Sequence, residues 1–246
     1  MVQGVKPFAI GETFQFESST LKEHRTINVY LPLDYHPDSV QTYPVIYLLD
    51  GSADEDFIHV SGLVQFGSFP WINQLPPSIV VGISNIDRRR DFTFPTRNSK
   101  DKANNPTSGS SSKFIQFLET ELQPLVKERY KTNGTKTIIG QSLGGLLATE
   151  ILFKKPDMFD HYIIVSPSLW WDDESLLNLK PEINGKPESI FIAVGKEGKV
   201  MERTARSLFE KLKALNQPKV YFQYFPKQDH GDMLHLAVYA AFEKLF

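Results

Sequence analysis

The stretch Thr137-Ile-Ile-Gly140-Gln141-Ser142-Leu143-Gly144-Gly145-Leu-Leu-Ala-Thr-Glu150 decides how this chain is read. Its centre, Gly140 to Gly144, has the form G-x-S-x-G. A β-branched run leads in and an apolar helical run leads out. A serine between a strand and a helix sits on a tight, strained turn that lifts its hydroxyl clear of the sheet. The flanking glycines let backbone segments approach where a Cβ would clash. The helix that begins there aims free N–H groups and a partial positive charge at any negative charge developing nearby. The five-residue pattern is weak by itself, and the strand–turn–helix context makes Ser142 a candidate nucleophile.

Outward from this corner, compact apolar or β-branched runs occupy residues 45–49, 78–83, 136–140, 161–165, 190–194 and 219–225. Most lack polar alternation, as strands covered on both faces do. Residues 13–17 and 26–31 do alternate, so they predict an antiparallel opening pair with one wet face. Helical patterns fall between the later runs, at residues 113–130, 143–154, 200–215 and 232–246. The first follows three serines, any of which offers an N-cap hydroxyl, and Pro124 predicts a kink in it. Residues 97–112 are polar and read as a surface loop. The alternation predicts a mostly parallel sheet with antiparallel N-terminal edge strands and helices on both faces.

The 246 residues carry a net charge of −2 and 41% hydrophobic residues, enough for a sizeable core. Near-neutral charge argues against a general nucleic-acid binder. The basic run Arg88-Arg89-Arg90 is offset by Asp87 and Asp91. There is no cysteine, which removes disulfides, a thiol nucleophile and thiolate metal sites. No apolar run reaches membrane-spanning length, and the N-terminal residues lack a signal-peptide pattern. The expected compartment is cytoplasmic, with a mature periplasmic protein as the alternative.

A serine nucleophile needs a base. Of six histidines, His24, His36 and His59 precede the serine, His161 opens a strand soon after it, and His235 lies in an apolar helical run. His230 follows the last strand run and precedes the last helix, in a loop where open α/β sheets gather functional groups. The acid that orients it should follow the preceding strand. Glu197 is the first choice and Glu202 the second, while a Ser–His dyad stays open. Two backbone N–H groups should meet the oxyanion, those of Leu143 and Ser52, the latter after the Asp50-Gly51 turn. Trp170 and Trp171 are candidates to wall a substrate site, with core the favoured reading for one of them. Phe57, Phe92 and Phe94 are candidate apolar lining.

Several stretches resemble the putative esterase family of α/β-hydrolases over nearly the whole chain. They are Arg25-Thr-Ile-Asn-Val-Tyr-Leu-Pro32, Tyr43-Pro-Val-Ile-Tyr-Leu-Leu-Asp-Gly51, Val81-Gly-Ile-Ser-Asn-Ile-Asp-Arg-Arg-Arg-Asp-Phe-Thr93, Gly140 to Gly145, and Ser166-Pro-Ser-Leu-Trp-Trp171. The last looks most like the IroE-like siderophore esterase branch. The family also holds feruloyl and acetyl-xylan esterases. The resemblance implies one α/β-hydrolase domain over residues 1–246, Ser142 as nucleophile, His230 as base, and no metal or organic cofactor. It also implies that Arg88 meets an anionic substrate, against a competing reading as an intramolecular Arg–Asp network. Gln141 stands where the family commonly has His, and its side chain is expected to point away from the reacting carbon.

The expected activity is hydrolysis of short-chain acyl or aryl esters. Trilactone siderophores and feruloyl or acetyl-xylan carbohydrate esters are the alternative substrates. Transfer to an alcohol and non-catalytic ligand binding on the same scaffold are the rival activities. The expected partner is a small-molecule ester, with no nucleic acid or membrane and with oligomeric state undecided. Activity should fall below about pH 6–7, because imidazolium cannot act as a base.

Overall fold

The computed structural model describes residues 4–246 apart from residues 182, 184, 185, 216 and 217. Eight strands form one sheet. They are β1 (Gly11–Ser18), β2 (Glu23–Tyr30), β3 (Tyr43–Leu48), β4 (Ile79–Ile83), β5 (Thr132–Gln141), β6 (His161–Val165), β7 (Ser189–Gly195) and β8 (Lys219–Phe225). Their spatial order is β1-β2-β4-β3-β5-β6-β7-β8. The pairings β1–β2 and β2–β4 are antiparallel, and every pairing from β4 through β8 is parallel.

The absence of polar alternation in the central runs has its cause in two cores, one on each face. Val45 and Tyr47 of β3 join one apolar cluster, while Ile46 and Leu48 join the other. The second cluster holds helices α1 (Phe57–Gly67) and, near the C-terminus, α9 (Leu234–Leu245). The first holds a helical run from residue 111 to 129, together with α6 (Leu143–Lys154) and α8 (Lys199–Lys213). Parallel strands sandwiched in this way need apolar side chains at every position.

Sequence expectation and structure differ at several helices. Helix α1 was not foreseen, nor was the short α2 (Arg88–Phe92). Helix α1 carries apolar residues around most of its circumference, with Ile58 and Phe66 exposed, so it lacks an amphipathic stripe. Helix α2 is a single turn held by the Asp87 side chain, which accepts the Arg90 N–H at 3.0 Å. The expected loop 97–112 contains α3 (Ser99–Asn104), capped by Asn98.

The run from residue 111 comprises α4 (Ser111–Phe117), a π-helical turn (Leu118–Leu122) and α5 (Gln123–Arg129). Ser110 occupies its N-cap position without a side-chain cap bond. The wide turn immediately before Pro124 absorbs the proline's missing donor without ending the helix. The single turn α7 (Trp171–Glu174) follows β6, with positive φ at Asp172, Asp173 and Glu174. No described helix is long and apolar enough to cross a membrane.

Candidate active site

Ser142 stands at the corner between β5 and α6, with φ 59° and ψ −119°. A non-glycine residue there carries strain of order 1–3 kcal/mol, so the surroundings must hold it. Three backbone bonds do so. Ser142 N–H donates to Val165 O at 3.0 Å, and Ser142 O accepts from Ser168 N–H at 3.0 Å and Leu146 N–H at 2.9 Å. Gly140 permits the corner, since a Cβ on it would lie 2.4 Å from the Gly144 carbonyl oxygen. The Leu143 N–H lies in the first turn of α6, where helical N–H groups have no intrahelical acceptor.

The loop after β3 approaches the same corner. Asp50 has φ 56°, and the Gly51 N–H and C=O are taken by Ile83 O and the Asn28 amide. A Cβ on Gly51 would meet the Gly82 backbone at 2.4 Å. The next N–H, that of Ser52, donates to no protein group among the described residues. Asp50 packs against α6, its carboxylate 3.3 Å from the position a Gly144 Cβ would occupy.

The Arg88 guanidinium grips that Asp50 carboxylate in a two-pronged pair at 2.6 and 2.9 Å and donates to Gln141 O at 3.1 Å. Its partner is therefore intramolecular, as the competing sequence reading had it, and the acid is Asp50 from a distant loop. The other acids of that loop are less well served. Burial, together with neighbouring Asp50 and Glu55, pushes the Asp56 carboxyl up to about 6. Arg90 and Asp91, from the charge-balanced run, form a largely buried network with Arg25 and Glu23.

Beyond β7 and β8 the chain supplies a second pair. Glu197 Oε2 lies 2.5 Å from His230 Nδ1. Its Oε1 accepts from the Ser166 hydroxyl and from the Gly195 N–H, the latter at 2.9 Å. The carboxylate side chain is only 2% exposed. Burial pushes its pKa up, but the bonds from His230, Ser166 and Gly195 outweigh that and hold it below the usual carboxylate range. An ionised carboxylate only accepts, so Nδ1 carries the proton and Nε2 presents its lone pair. Glu202, the second choice, spends Oε1 on the Glu197 and Gly198 N–H groups.

Sequence reasoning missed three contributors. Ser166, with φ 44° at the end of β6, donates to Glu197. Ser168, 2% exposed, has its Oγ 3.3 Å from Ser142 Oγ. Gln141 turns toward the histidine loop, its Nε2 donating to His230 O at 2.6 Å. The stretch Ser166-Pro-Ser carries a family resemblance, but nothing in its spacing marks which acid or serine it meets.

The two tryptophans part company. Trp171 is 1% exposed and its indole N–H donates to Phe94 O at 2.9 Å, so it is core and cannot wall a substrate site. Trp170 is 37% exposed, two residues beyond Ser168. Phe57 and Phe92 are buried and supply no open lining, while Phe94, 9% exposed, lines a surface cavity with Arg97, Lys154 and Asp172. Among the described residues no group of three or more His, Asp or Glu side chains is placed to hold a metal ion.

Comparison with known proteins shows the family and the fold. The family profile described as "Putative esterase" matches residues 18–235. The chain is 30% identical to the ferri-bacillibactin esterase BesA of Bacillus subtilis, covering 89% of this chain and 84% of that protein. Two solved structures superimpose closely. An IroE-like serine hydrolase from Shewanella oneidensis has a TM-score of 0.83 at 28% identity, covering 96% of this chain and 80% of that one. The BES protein from Bacillus cereus has a TM-score of 0.81 at 28% identity, covering 99% and 97%. A mostly parallel sheet with antiparallel edge strands, a serine at a strand-to-helix corner and these relatives lead to one conclusion: the chain belongs to the putative esterase family and is a carboxylic ester hydrolase of the α/β-hydrolase fold.

Proposed function

We propose that Ser142 is the nucleophile, His230 the general base and then acid, Glu197 the residue that orients and charges the imidazole, and the Leu143 and Ser52 N–H groups the oxyanion donors. The observation that carries this reading is the 2.5 Å contact between Glu197 and His230 Nδ1, on loops that follow adjacent parallel strands. It leaves Nε2 as the only ring nitrogen free to take a proton.

In the reaction the Ser142 hydroxyl exchanges its contact with Ser168 for one with Nε2. As Oγ attacks the ester carbonyl carbon, its proton passes to the imidazole. The carbonyl oxygen gains negative charge opposite the two N–H donors, each worth ~10²–10³ in turnover. Collapse expels the alkoxide, which takes the proton from imidazolium and leaves as the alcohol. Water, deprotonated by the same imidazole, then attacks the acyl-enzyme and releases the acid. Hydrogen bonds in such sites commonly tighten only once substrate is bound, which accommodates the resting position of Ser142.

For the substrate class we propose ester bonds of siderophores, the compounds named for the BesA relative and for a triacetylfusarinine C esterase of Aspergillus fumigatus, 38% identical over 70% of this chain and 60% of that protein. The half-open Trp170, two residues after Ser168 in the chain, offers an aromatic face to such a ligand. The test combines a substitution and a substrate panel. Ser142→Ala should stay folded, lose labelling by an organophosphonate, and drop p-nitrophenyl acetate turnover by about 10⁴-fold or more. A catecholate trilactone should exceed ferulates and acetylated sugars in kcat/KM. Undiminished turnover in Ser142→Ala removes the nucleophile, and preference for a sugar ester removes the substrate class.

A further inference from the structure

The side chain immediately before the nucleophile takes no part in the proposed proton transfers. Gln141 closes β5, its carbonyl accepts from Arg88 Nη2 at 3.1 Å, and its side-chain Nε2 donates to the His230 carbonyl at 2.6 Å. The two residues stand 89 positions apart in the chain. The His230 segment is otherwise lightly held. The loop between β8 and α9 is anchored at its start by Gln228 O, which accepts the Lys196 N–H at 2.7 Å. From Asp229 to Asp232 its bonds are local, Asp229 N–H to Asp232 Oδ1 and Gly231 N–H to Asp229 Oδ1, both 2.8 Å. Local bonds shape a loop but do not register it against the rest of the molecule. His230 itself has two bonds that cross to other elements, from its ring to Glu197 and from Gln141 to its carbonyl.

Each of these two bonds constrains something different. The Glu197 contact sets the tautomer and the tilt of the ring. A ring held only at Nδ1 can pivot about that contact and carry Nε2 with it. The Gln141 bond fixes the main chain of His230 to the residue covalently next to Ser142. Arg88, locked on Asp50, in turn holds the main chain of Gln141. The nucleophile and the base thus share a frame through one amide side chain.

We propose that Gln141 is a positioning residue for His230, its amide setting the reach between the imidazole and Ser142. The proposal rests on the reading of Ser142 and His230 as nucleophile and base. Gln141 does not touch the reacting atoms, so its effect belongs to kcat and the approach to the transition state, with ground-state binding unchanged.

The test uses Gln141→Met, which keeps length and removes the donor at a partly exposed strand end, beside Gln141→Glu, whose ionised carboxylate cannot donate to the carbonyl. Both should retain the melting temperature of the natural chain within about 2–3 °C. Both should lose about tenfold in kcat on p-nitrophenyl acetate, with KM within twofold, and the same factor in the rate of phosphonate labelling of Ser142. The proton that His230 shares with Glu197 should give a far-downfield NMR resonance in the natural chain and shift or broaden in both variants. An unchanged resonance with unchanged kcat overturns the proposal, as does a loss confined to KM. If either variant fails to fold, the other carries the test. Failure of the catalytic reading itself is separately visible, since the natural chain would then resist phosphonate labelling while the resonance still reports on Gln141.

Discussion

Two carboxylates on loops to either side of the elbow move in opposite directions. Glu197, after β7, has a side chain only 2% exposed, yet it is held below the ordinary carboxylate range. Asp56, after β3, is pushed up to about 6. Burial raises both. The difference lies in the donors, for Glu197 accepts from His230, Ser166 and Gly195, while the Asp56 side chain accepts no hydrogen bond among the described residues and faces Asp50 and Glu55. In the β3 loop the available cation, Arg88, is spent on Asp50. A charge is kept in a protein by what points at it, and depth decides only how much that matters.

The largest way to break this comparison is Glu197→Gln. An amide can donate to Nδ1 and trap the wrong tautomer, so turnover of p-nitrophenyl acetate should fall by about 10³–10⁴-fold. The same variant sharpens the electrostatic half. A carboxyl whose pKa is depressed by folding adds stability above its unfolded value near 4.5, and that stability fades as pH falls through the lower folded value. Urea unfolding should show the natural chain ahead of Glu197→Gln at pH 7, with the gap closing below pH 4.5. A gap constant with pH contradicts the assignment.

Next in size is Arg88→Met, which strands the Asp50 carboxylate and frees the Gln141 carbonyl. With the arginine partly open to solvent, the cost should be about 1–3 kcal/mol in urea unfolding. A variant that unfolds like the natural chain and loses only KM would return Arg88 to a substrate contact.

The smallest effect belongs to Asp56→Asn. Folding raises this carboxyl above its unfolded value near 3.8, so the folded chain binds the extra proton and stability declines as pH rises from about 4 to about 6. The amide should remove that decline and leave the variant more stable at pH 7 by up to about 1 kcal/mol, after allowance for solvent screening. Equal slopes in the two chains would show that Asp56 is not the group responsible.

The sheet and the strand-to-helix corner were legible from residue type because each is dictated locally. A run of apolar residues bounded by turns announces a doubly covered strand, and glycines around one serine announce the corner. Helix α1 was not legible, for its apolar residues lie all round and its face is chosen by docking against α9 and the sheet. The roles of Ser166, Ser168 and Gln141 were equally hidden.

The sequence by itself determined the strand runs and the longer helical runs other than α1, the candidacy of Ser142 and His230, and the absence of thiol chemistry. The tertiary structure alone decided that Glu197 rather than Glu202 meets the histidine, that Arg88 is spent on Asp50, that Trp171 is core while Trp170 is open, and that Gln141 reaches the base. The reason is physical. Periodicity and turn chemistry act within a few residues, whereas hydrogen bonds between loops that close different strands depend on strand order and register, which no local pattern records.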